Sequence, residues 1–286
     1  MNGDEFLLSD YSIYVRDFSV SSIEIESVKK EDEGLDGYLD YGSFYKGREI
    51  KVPFYTKARD LHDYPLLRDE FYSIVNTREY YYVQEMRRNE YQDGKNSKIN
   101  GKRYKVRLSN VIELEQMFEY GDGELIFETV DLPFAESVGT TQDIEKEGIN
   151  SNDEKWGFGA GIVSEIDSQR YTIQAKRETE FLVYNAGNVA IHPFRQYLKL
   201  TIKDVVGSVD EFRLFNQSTQ TYIHITEPLS SDDIVVFDGP NITKNSQQFF
   251  RNTRRTYIEL KQGWNRFVLY HCDNATLEFD FRFYYI

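Results

Sequence analysis

The C-terminal run TLEFDFRFYYI, residues 276–286, alternates apolar and charged side chains with a period of two. In an extended chain, successive side chains point to opposite faces, so Glu278, Asp280 and Arg282 share one face. A helix repeats every 3.6 residues and cannot collect this pattern on one side. The run therefore predicts a β-strand with one buried face, made by Leu277, Phe279, Phe281, Phe283 and Tyr285.

Similar runs, separated by turn residues about every 8–12 positions, continue backwards to about residue 162. The chain also contains 22 Tyr and 20 Phe but only 6 Pro, a composition that favours pleated, half-buried surfaces. We therefore predict a mainly β fold, with a β-sandwich over 161–286.

The segment FLVYNAGNVAIHPFRQYLKLTIK, residues 181–203, begins and ends like a strand and is interrupted in the middle. Asn and Gly accept positive φ at low cost, so NAGN at 185–188 predicts a tight turn. Pro193 is expected at the start of the second strand, where its missing N–H costs little. The segment thus predicts two early strands joined by a tight connection.

Residues 1–135 predict a second β domain with one helix. Short alternating runs fill 11–58, and DYPLLRDEFYSIVN follows at 63–76. Asp63 is suited to cap a helix, and Pro65 suits its first turn. The apolar face of this helix is expected to comprise Leu67, Phe71, Ile74 and Val75.

Residues 136–160 change in texture, with acids, Ser, Thr, Asn and Gly around few large apolar residues. Such a composition predicts a linker between the two domains. The GFGAG within it has neither the preceding strand nor the following helix of a dinucleotide-binding loop, so flexibility is the better interpretation.

The net charge is −14, which disfavours a groove that clamps nucleic acid, because such grooves need clustered Lys and Arg. The single cysteine, Cys272, excludes an internal disulfide framework and suits a reducing cytosol. No stretch approaches the ~20 apolar residues of a membrane span. The N-terminal sequence lacks a basic start followed by an apolar core, so we expect no secretory signal.

No residue pattern indicates catalysis, a cofactor or a metal. The four histidines, which could otherwise bind a metal, are far apart in sequence: His62, His192, His224 and His271. Cys272 and His271 cannot act as a catalytic pair, because neighbouring residues on a strand point to opposite faces. The loop acids Asp232, Asp233 and Asp238 are interpreted as solvated groups. Trp264 is either a core residue or a platform for stacking a sugar ring.

Several segments, taken in order, resemble the distal tail protein family of long-tailed phages with non-contractile tails. They are DGYLDYGSFYKGREIKVPFYT, DYPLLRDEFYSIVN, YYYVQE, GKRYKVRL, FLVYNAGNVAIHPFRQYLKLTI, DIVVFDGP and TYIELKQGWNRFVLY. The resemblance implies an N-terminal β domain related to tail-tube subunits, with a helix packed on its sheet, that forms a ring of six copies. It also implies a C-terminal galectin-like β-sandwich that projects outwards to attach baseplate or receptor-binding components.

The same resemblance implies a structural virion protein at the tail tip, assembled in the bacterial cytoplasm, whose ring meets the tail tube protein and lets DNA pass. A ring needs inter-subunit arms, and we expect one at the polar hairpin of Asp93, Gly94, Lys95, Asn96, Asn100 and Gly101. The alternative is a glycan-binding accessory protein, whose second domain would use Trp264. A free-standing lectin would not need the first domain.

A bore that passes DNA should repel phosphate, so acids are expected along its wall. The candidates on alternating positions of the first domain are Glu24, Glu26, Glu113, Glu115, Glu124 and Glu128. An outer-surface location for the same acids is the alternative.

Overall fold

A computed structural model describes residues 5–32, 34, 36–86, 101–149, 155–156, 161–162 and 169–286. The chain divides into two compact units, the first formed by Met1–Glu85 with Tyr104–Phe134 and the second by Met86–Arg103 with Ala135–Ile286. Within the described ranges no helix is long and apolar enough to cross a membrane. The predicted mainly β fold is confirmed.

The first unit contains short and long antiparallel strands and one helix. The strands are β1 (Ile13–Val15), β2 (Ser19–Val20), β3 (Ile25–Lys30), β4 (Leu39–Tyr45), β5 (Glu49–Lys57), β6 (Tyr81–Gln84), β7 (Lys102–Leu108), β8 (Glu115–Met117) and β9 (Tyr120–Thr129). Strand β5 lies between β1 and β9, and β9 lies between β5 and β7. Strands β2, β6 and β8 extend this sheet on β5, β7 and β9. The first two residues of β7 belong to the second unit.

Helix α1 (Tyr64–Val75) covers one face of this sheet, as the sequence predicts. Pro65 lies in its first turn, but the Asp63 side chain does not cap it and instead accepts a hydrogen bond from the Arg59 N–H at 3.4 Å. The helix buries Phe71 against Phe54, with ring centroids 5.0 Å apart. The core around them comprises Ile13, Ile50, Val52, Val75, Val106, Ile112, Leu125 and Phe127.

The second unit is built on two packed antiparallel sheets, which gives the predicted β-sandwich. Its strands are β10 (Ala135–Ser137), β11 (Thr172–Lys176), β12 (Glu180–Asn185), β13 (Leu198–Val206), β14 (Phe212–Asn216), β15 (Thr221–Ile225), β16 (Val235–Asp238), β17 (Asn241–Lys244), β18 (Gln247–Gln248), β19 (Gly263–Tyr270), β20 (Asn274–Phe281) and β21 (Tyr284–Tyr285). One sheet has the order β11-β20-β13-β16-β17-β18, and the other has the order β12-β19-β14-β15.

The C-terminal run confirms the predicted alternation. Phe279 and Phe281 are buried in β20, whereas Glu278 and Asp280 are half-buried. The run is broken after Phe281, however, and resumes at β21, where both Tyr284 and Tyr285 are buried. The break allows these last residues to leave β13 and pair with β10.

The connection after β12 is longer than the sequence predicts. Strands β12 and β13 lie in different sheets, and Pro193 is in a turn five residues before β13 rather than at its start. The NAGN glycine is required for space and not for positive φ. A Cβ atom on Gly187 would lie 2.6 Å from the Tyr284 carbonyl oxygen, and the Asn185 side chain accepts a hydrogen bond from the Gly187 N–H at 3.0 Å.

The described part of the predicted linker 136–160 is folded. Strand β10 begins just before it, and helix α2 (Thr141–Glu147) follows. Two of its large apolar residues are buried, Ile144 in α2 and Trp156 beside Phe283 at a ring-centroid distance of 6.1 Å, whereas Val138 is half-buried and Ile149 is 37% exposed. The segment is therefore held by two buried apolar side chains together with polar contacts. The placement of the domain boundaries themselves stays a prediction, and residues 150–154 and 157–160 lie outside the described ranges.

Thr141 shows why this segment is ordered. Its hydroxyl donates to the Phe279 carbonyl at 2.9 Å and accepts from the Phe281 N–H at 3.0 Å, and the residue is fully buried. The Ser137 hydroxyl likewise accepts from the Phe283 N–H at 3.0 Å. Two hydroxyls thus satisfy backbone groups of the C-terminal run that no strand partner reaches.

We expect Thr141→Val to lower the free energy of unfolding by about 1–3 kcal/mol, because it leaves a buried N–H without its acceptor. Thr141→Ser keeps the hydroxyl and should lose much less. Urea denaturation followed by fluorescence measures both variants. Equal stability of the valine and serine variants would contradict the role of the hydroxyl.

Candidate assembly surfaces

Strands β3 and β4 form a two-stranded antiparallel hairpin that pairs with no other strand of the described residues. All thirteen residues of the two strands are exposed. The hairpin continues from the edge of the sheet, because the Ser21 N–H donates to the Glu49 carbonyl and the Glu24 N–H donates to the Gly47 carbonyl. It therefore starts at the Glu49 end of β5.

One face of this hairpin carries four large apolar side chains next to the charged residues Glu26 and Lys30. Glu26 lies opposite Phe44 and Lys30 lies opposite Leu39, with an irregularity between the two pairs. The alternation of side chains places Val28 and Tyr41 on the same face. We call Val28, Leu39, Tyr41 and Phe44 the hairpin stripe; Tyr41 is 62% exposed and Phe44 50%. The opposite face carries Ile25, Ser27, Lys29, Asp40, Ser43 and Tyr45.

The face of the β5–β9 sheet that α1 does not cover is the outer face. Residues directly opposite in an antiparallel pair share a face, so Glu49 lies beside Glu128, Pro53 beside Glu124 and Tyr55 beside Asp122. At its Glu49 end this face is charged, and the Lys51 ammonium pairs with the Glu49 carboxylate at 3.0 Å. All six acids predicted to line a bore are exposed, and three of them lie on the outer face: Glu124, Glu128 and Glu115, which is opposite Asp122 in the β8–β9 pair.

The remaining three predicted acids lie away from the outer face. Glu24 and Glu26 are at the base of the hairpin, where both pair with the Lys46 ammonium, at 3.3 and 3.4 Å. Glu113 precedes β8 without belonging to a strand. The sequence correctly predicts that these residues are exposed, but it does not distinguish the wall of a bore from the outer surface of a ring.

The Lys57 end of the outer face is aromatic. Tyr14 stacks on Tyr55 with ring centroids 5.1 Å apart, and Met117 lies opposite Tyr120 in the β8–β9 pair. Phe118 occupies the turn between these strands with φ of 55°. We call Tyr14, Tyr55, Met117, Phe118 and Tyr120 the tyrosine patch; Met117 is 72% and Phe118 73% exposed.

The candidate arm predicted around residues 93–101 lies outside the described residues except for Gly101. This glycine is buried, has φ of 60°, and its carbonyl accepts a hydrogen bond from the Val138 N–H. Its role as the end of an arm stays a prediction. The exposed hairpin β3–β4 was not singled out, although the aromatic density of DGYLDYGSFY could have indicated an uncovered surface.

Trp264 is half-buried in β19 and packs on Tyr184, its cross-strand partner, at a ring-centroid distance of 4.8 Å. It is therefore partly packed and partly open. A role in sugar binding stays a prediction.

The other candidate residues from the sequence are spread through the second unit or its turns. Cys272 is fully buried, and burial raises the pKa of its thiol to about 12. Asp233 pairs with the Lys244 ammonium at 3.1 Å and accepts a hydrogen bond from the Ser230 N–H at 2.8 Å, so it holds a turn. Among the residues described, no group of three or more His, Cys, Asp and Glu is arranged to hold a metal ion.

Two histidines that are distant in sequence meet on one carboxylate. Glu211 contacts the Nε2 atoms of His224 at 2.7 Å and of His271 at 3.0 Å. The hydrogen bond with His224 is the largest effect on the Glu211 carboxyl and lowers its pKa from the usual value of 4.5. A carboxyl whose pKa is lower in the folded than in the unfolded protein stabilises the fold at a pH above its unfolded pKa. This stabilisation is lost as the pH falls through the pKa of the folded protein.

We expect Glu211→Gln to lower the free energy of unfolding near neutral pH, with a loss that shrinks as the pH falls below about 4.5. Urea denaturation of both proteins at pH 7 and pH 3.5 measures the difference. A loss of equal size at both pH values would contradict a contribution from the ionised carboxylate.

Comparison with known proteins agrees with this architecture. Residues 2–129 match the family model of the phage tail protein RIFT-related domain. The whole chain is similar to the crystal structure of phage SPP1 Dit, which is described as a hub of the adsorption apparatus in phages that infect Gram-positive bacteria. The TM-score is 0.64 at 13% identity, over 96% of this chain and 95% of that chain.

A chain in the activated baseplate of phage p2 with Sr matches with a TM-score of 0.38 at 10% identity, over 98% of this chain and 94% of that chain. No curated protein sequence matches. The resemblance drawn from the sequence is confirmed. The chain has the fold of a siphophage distal tail protein, and its residues 2–129 match the model of the phage tail RIFT-related domain.

Proposed function

We propose that the protein is a structural hub of a phage tail tip, in which six copies form a ring that continues the tail tube. The observation that carries this proposal is the likeness of nearly the whole chain, both units included, to a distal tail protein. A lectin alone would account for the β-sandwich but not for a first unit that matches a tail-protein domain. The protein acts by assembly and not as an enzyme.

In this proposal the galectin-like second unit attaches baseplate and receptor-binding proteins, and the first unit meets the tail tube protein. The finished protein resides at the virion tail tip after assembly in the host cytoplasm. The buried thiol of Cys272 suits that reducing compartment, because it needs no disulfide partner.

The charged end of the outer face is the wall of the bore. The other face of the sheet is covered by α1 and its core, so the outer face is the one with charged side chains free to meet passing DNA. Its acids Glu49, Glu124 and Glu128 cluster around Lys51. An acidic wall repels the phosphates and leaves DNA free to slide. A basic wall would bind the DNA, because contact with Lys and Arg releases the counterions that are condensed on the phosphates.

Native mass spectrometry of the purified protein should show six copies in the ring. The wild-type ring should bind duplex DNA negligibly even at ~50 mM salt. The double variant Glu124→Lys/Glu128→Lys should bind it, and the affinity should fall steeply, by about a thousandfold, between ~50 and ~200 mM salt.

The matched control is Asp210→Lys/Asp232→Lys, which makes the same charge change at exposed positions of the second unit. It should bind DNA much more weakly than the outer-face variant. Equal binding by the two variants would show that the outer face is not the wall of the bore. A protein that stays monomeric at every concentration would contradict the ring itself.

A further inference from the structure

The hairpin β3–β4 cannot be explained by the fold of a single copy. Two-stranded hairpins are marginally stable in water unless something covers an apolar face. Here the hairpin stripe of Val28, Leu39, Tyr41 and Phe44 stays open. A stripe of this kind, with charged residues around it, is typical of a contact surface.

A second open apolar surface lies on the same unit. The tyrosine patch is at the Lys57 end of β5, and the hairpin leaves the sheet at the Glu49 end. Strand β5 has nine residues, so these ends are about 26 Å apart at ~3.3 Å per residue. One copy therefore presents two separate apolar surfaces, and neither covers the other.

We propose that the hairpin stripe of one copy docks on the tyrosine patch of a second copy of this chain, in a head-to-tail contact. A contact between two different surfaces repeats from copy to copy and closes into a ring when the rotation allows. The inference rests on the ring of the proposed function and names the surfaces that form it.

The areas of the two surfaces match each other. A fully exposed aromatic side chain offers roughly 200 Å², so the half-open stripe and the patch each leave about 400 Å² of apolar area. A specific interface buries about 800 Å² per partner, slightly more than half of it apolar. Each surface thus supplies about the apolar area that one side of such an interface needs.

Part of the charge next to the two surfaces is complementary, although the tyrosine patch also borders Glu115 and the Arg16–Asp122 ion pair. In the sequence, residues 31–40, which follow β3 and run into β4, include five acids and no Lys or Arg, and the preceding Lys30 pairs with Asp32 at 3.0 Å. Next to the tyrosine patch, Lys57 lies directly opposite Tyr120 in the β5–β9 pair, and its ammonium is 5.3 Å from the centroid of that ring. The exposed Arg59 follows two residues later in the chain. The acidic segment therefore has cations to approach when the stripe meets the patch.

Disulfide cross-linking tests this contact directly. The native Cys272 is buried, so introduced thiols are the only accessible ones. We expect a mixture of the Tyr41→Cys and Met117→Cys proteins to give a covalent dimer on mild oxidation. Neither protein alone should do so, and a chain with both substitutions should give a ladder that ends at the size of the ring.

The matched control is Ser43→Cys, on the opposite face of the same hairpin. Mixed with Met117→Cys it should not cross-link. Cross-linking of Tyr41→Cys with itself would overturn the proposal in favour of a symmetric hairpin contact. In assembled tails, cross-linking of Tyr41→Cys to a different tail protein, and not to Met117→Cys, would overturn it in favour of that partner.

A second measurement separates the contact from the ring. Tyr41→Ser/Phe44→Ser should raise the concentration needed for ring assembly at least tenfold, with an unchanged circular dichroism spectrum because both side chains are exposed. Ile25→Ser, on the opposite face, should assemble like the wild type. Normal ring assembly by the double variant would contradict the proposed contact but not the proposed ring. A wild-type protein that is monomeric at every concentration would contradict both.

Discussion

The second unit depends on the buried aromatic face of its C-terminal run. Strand β20 lies between β11 and β13, so its backbone is paired on both sides. The ring of Phe279 lies 5.1 Å from that of Phe267 in β19, and the ring of Phe281 lies 5.5 Å from that of Tyr171, which precedes β11. Where the run breaks after Phe281, the Thr141 and Ser137 hydroxyls take over the hydrogen bonds, so buried backbone groups are satisfied without a continuous strand.

This dependence explains which parts of the fold the sequence could predict. Period-two alternation reports which side of a strand is buried, and it identified the C-terminal run and the β-sandwich from residue types alone. The helix followed from the period of 3.6 and from Pro65. These signals are local, and each is repeated several times within one element.

The sequence-based predictions failed where the local structure depends on a tertiary contact of a single residue. Thr141 orders a polar segment through two hydrogen bonds, but its hydroxyl looks like that of any linker threonine. Gly187 is needed because the Tyr284 backbone passes close by, about a hundred residues later in the chain. Asp63 precedes a helix as a cap would, yet its carboxylate serves the Arg59 backbone. Contacts of this kind depend on the tertiary structure, which composition and periodicity do not contain.

The candidate surfaces were predictable only in part, for a related reason. Exposed acids can be recognised from strand periodicity, and Glu124 and Glu128 were. An exposed aromatic residue such as Tyr41 is predicted to be a core residue. The sequence around it is the same whether its strand face is buried within one copy or is left exposed for contact with another protein. In the proposed ring these two kinds of surface have complementary tasks. The charge of −14 keeps free copies apart in solution, while salt at cellular concentration limits that repulsion to about 8 Å. Short-range apolar contact can then decide how copies meet, and the acids remain free to face the DNA.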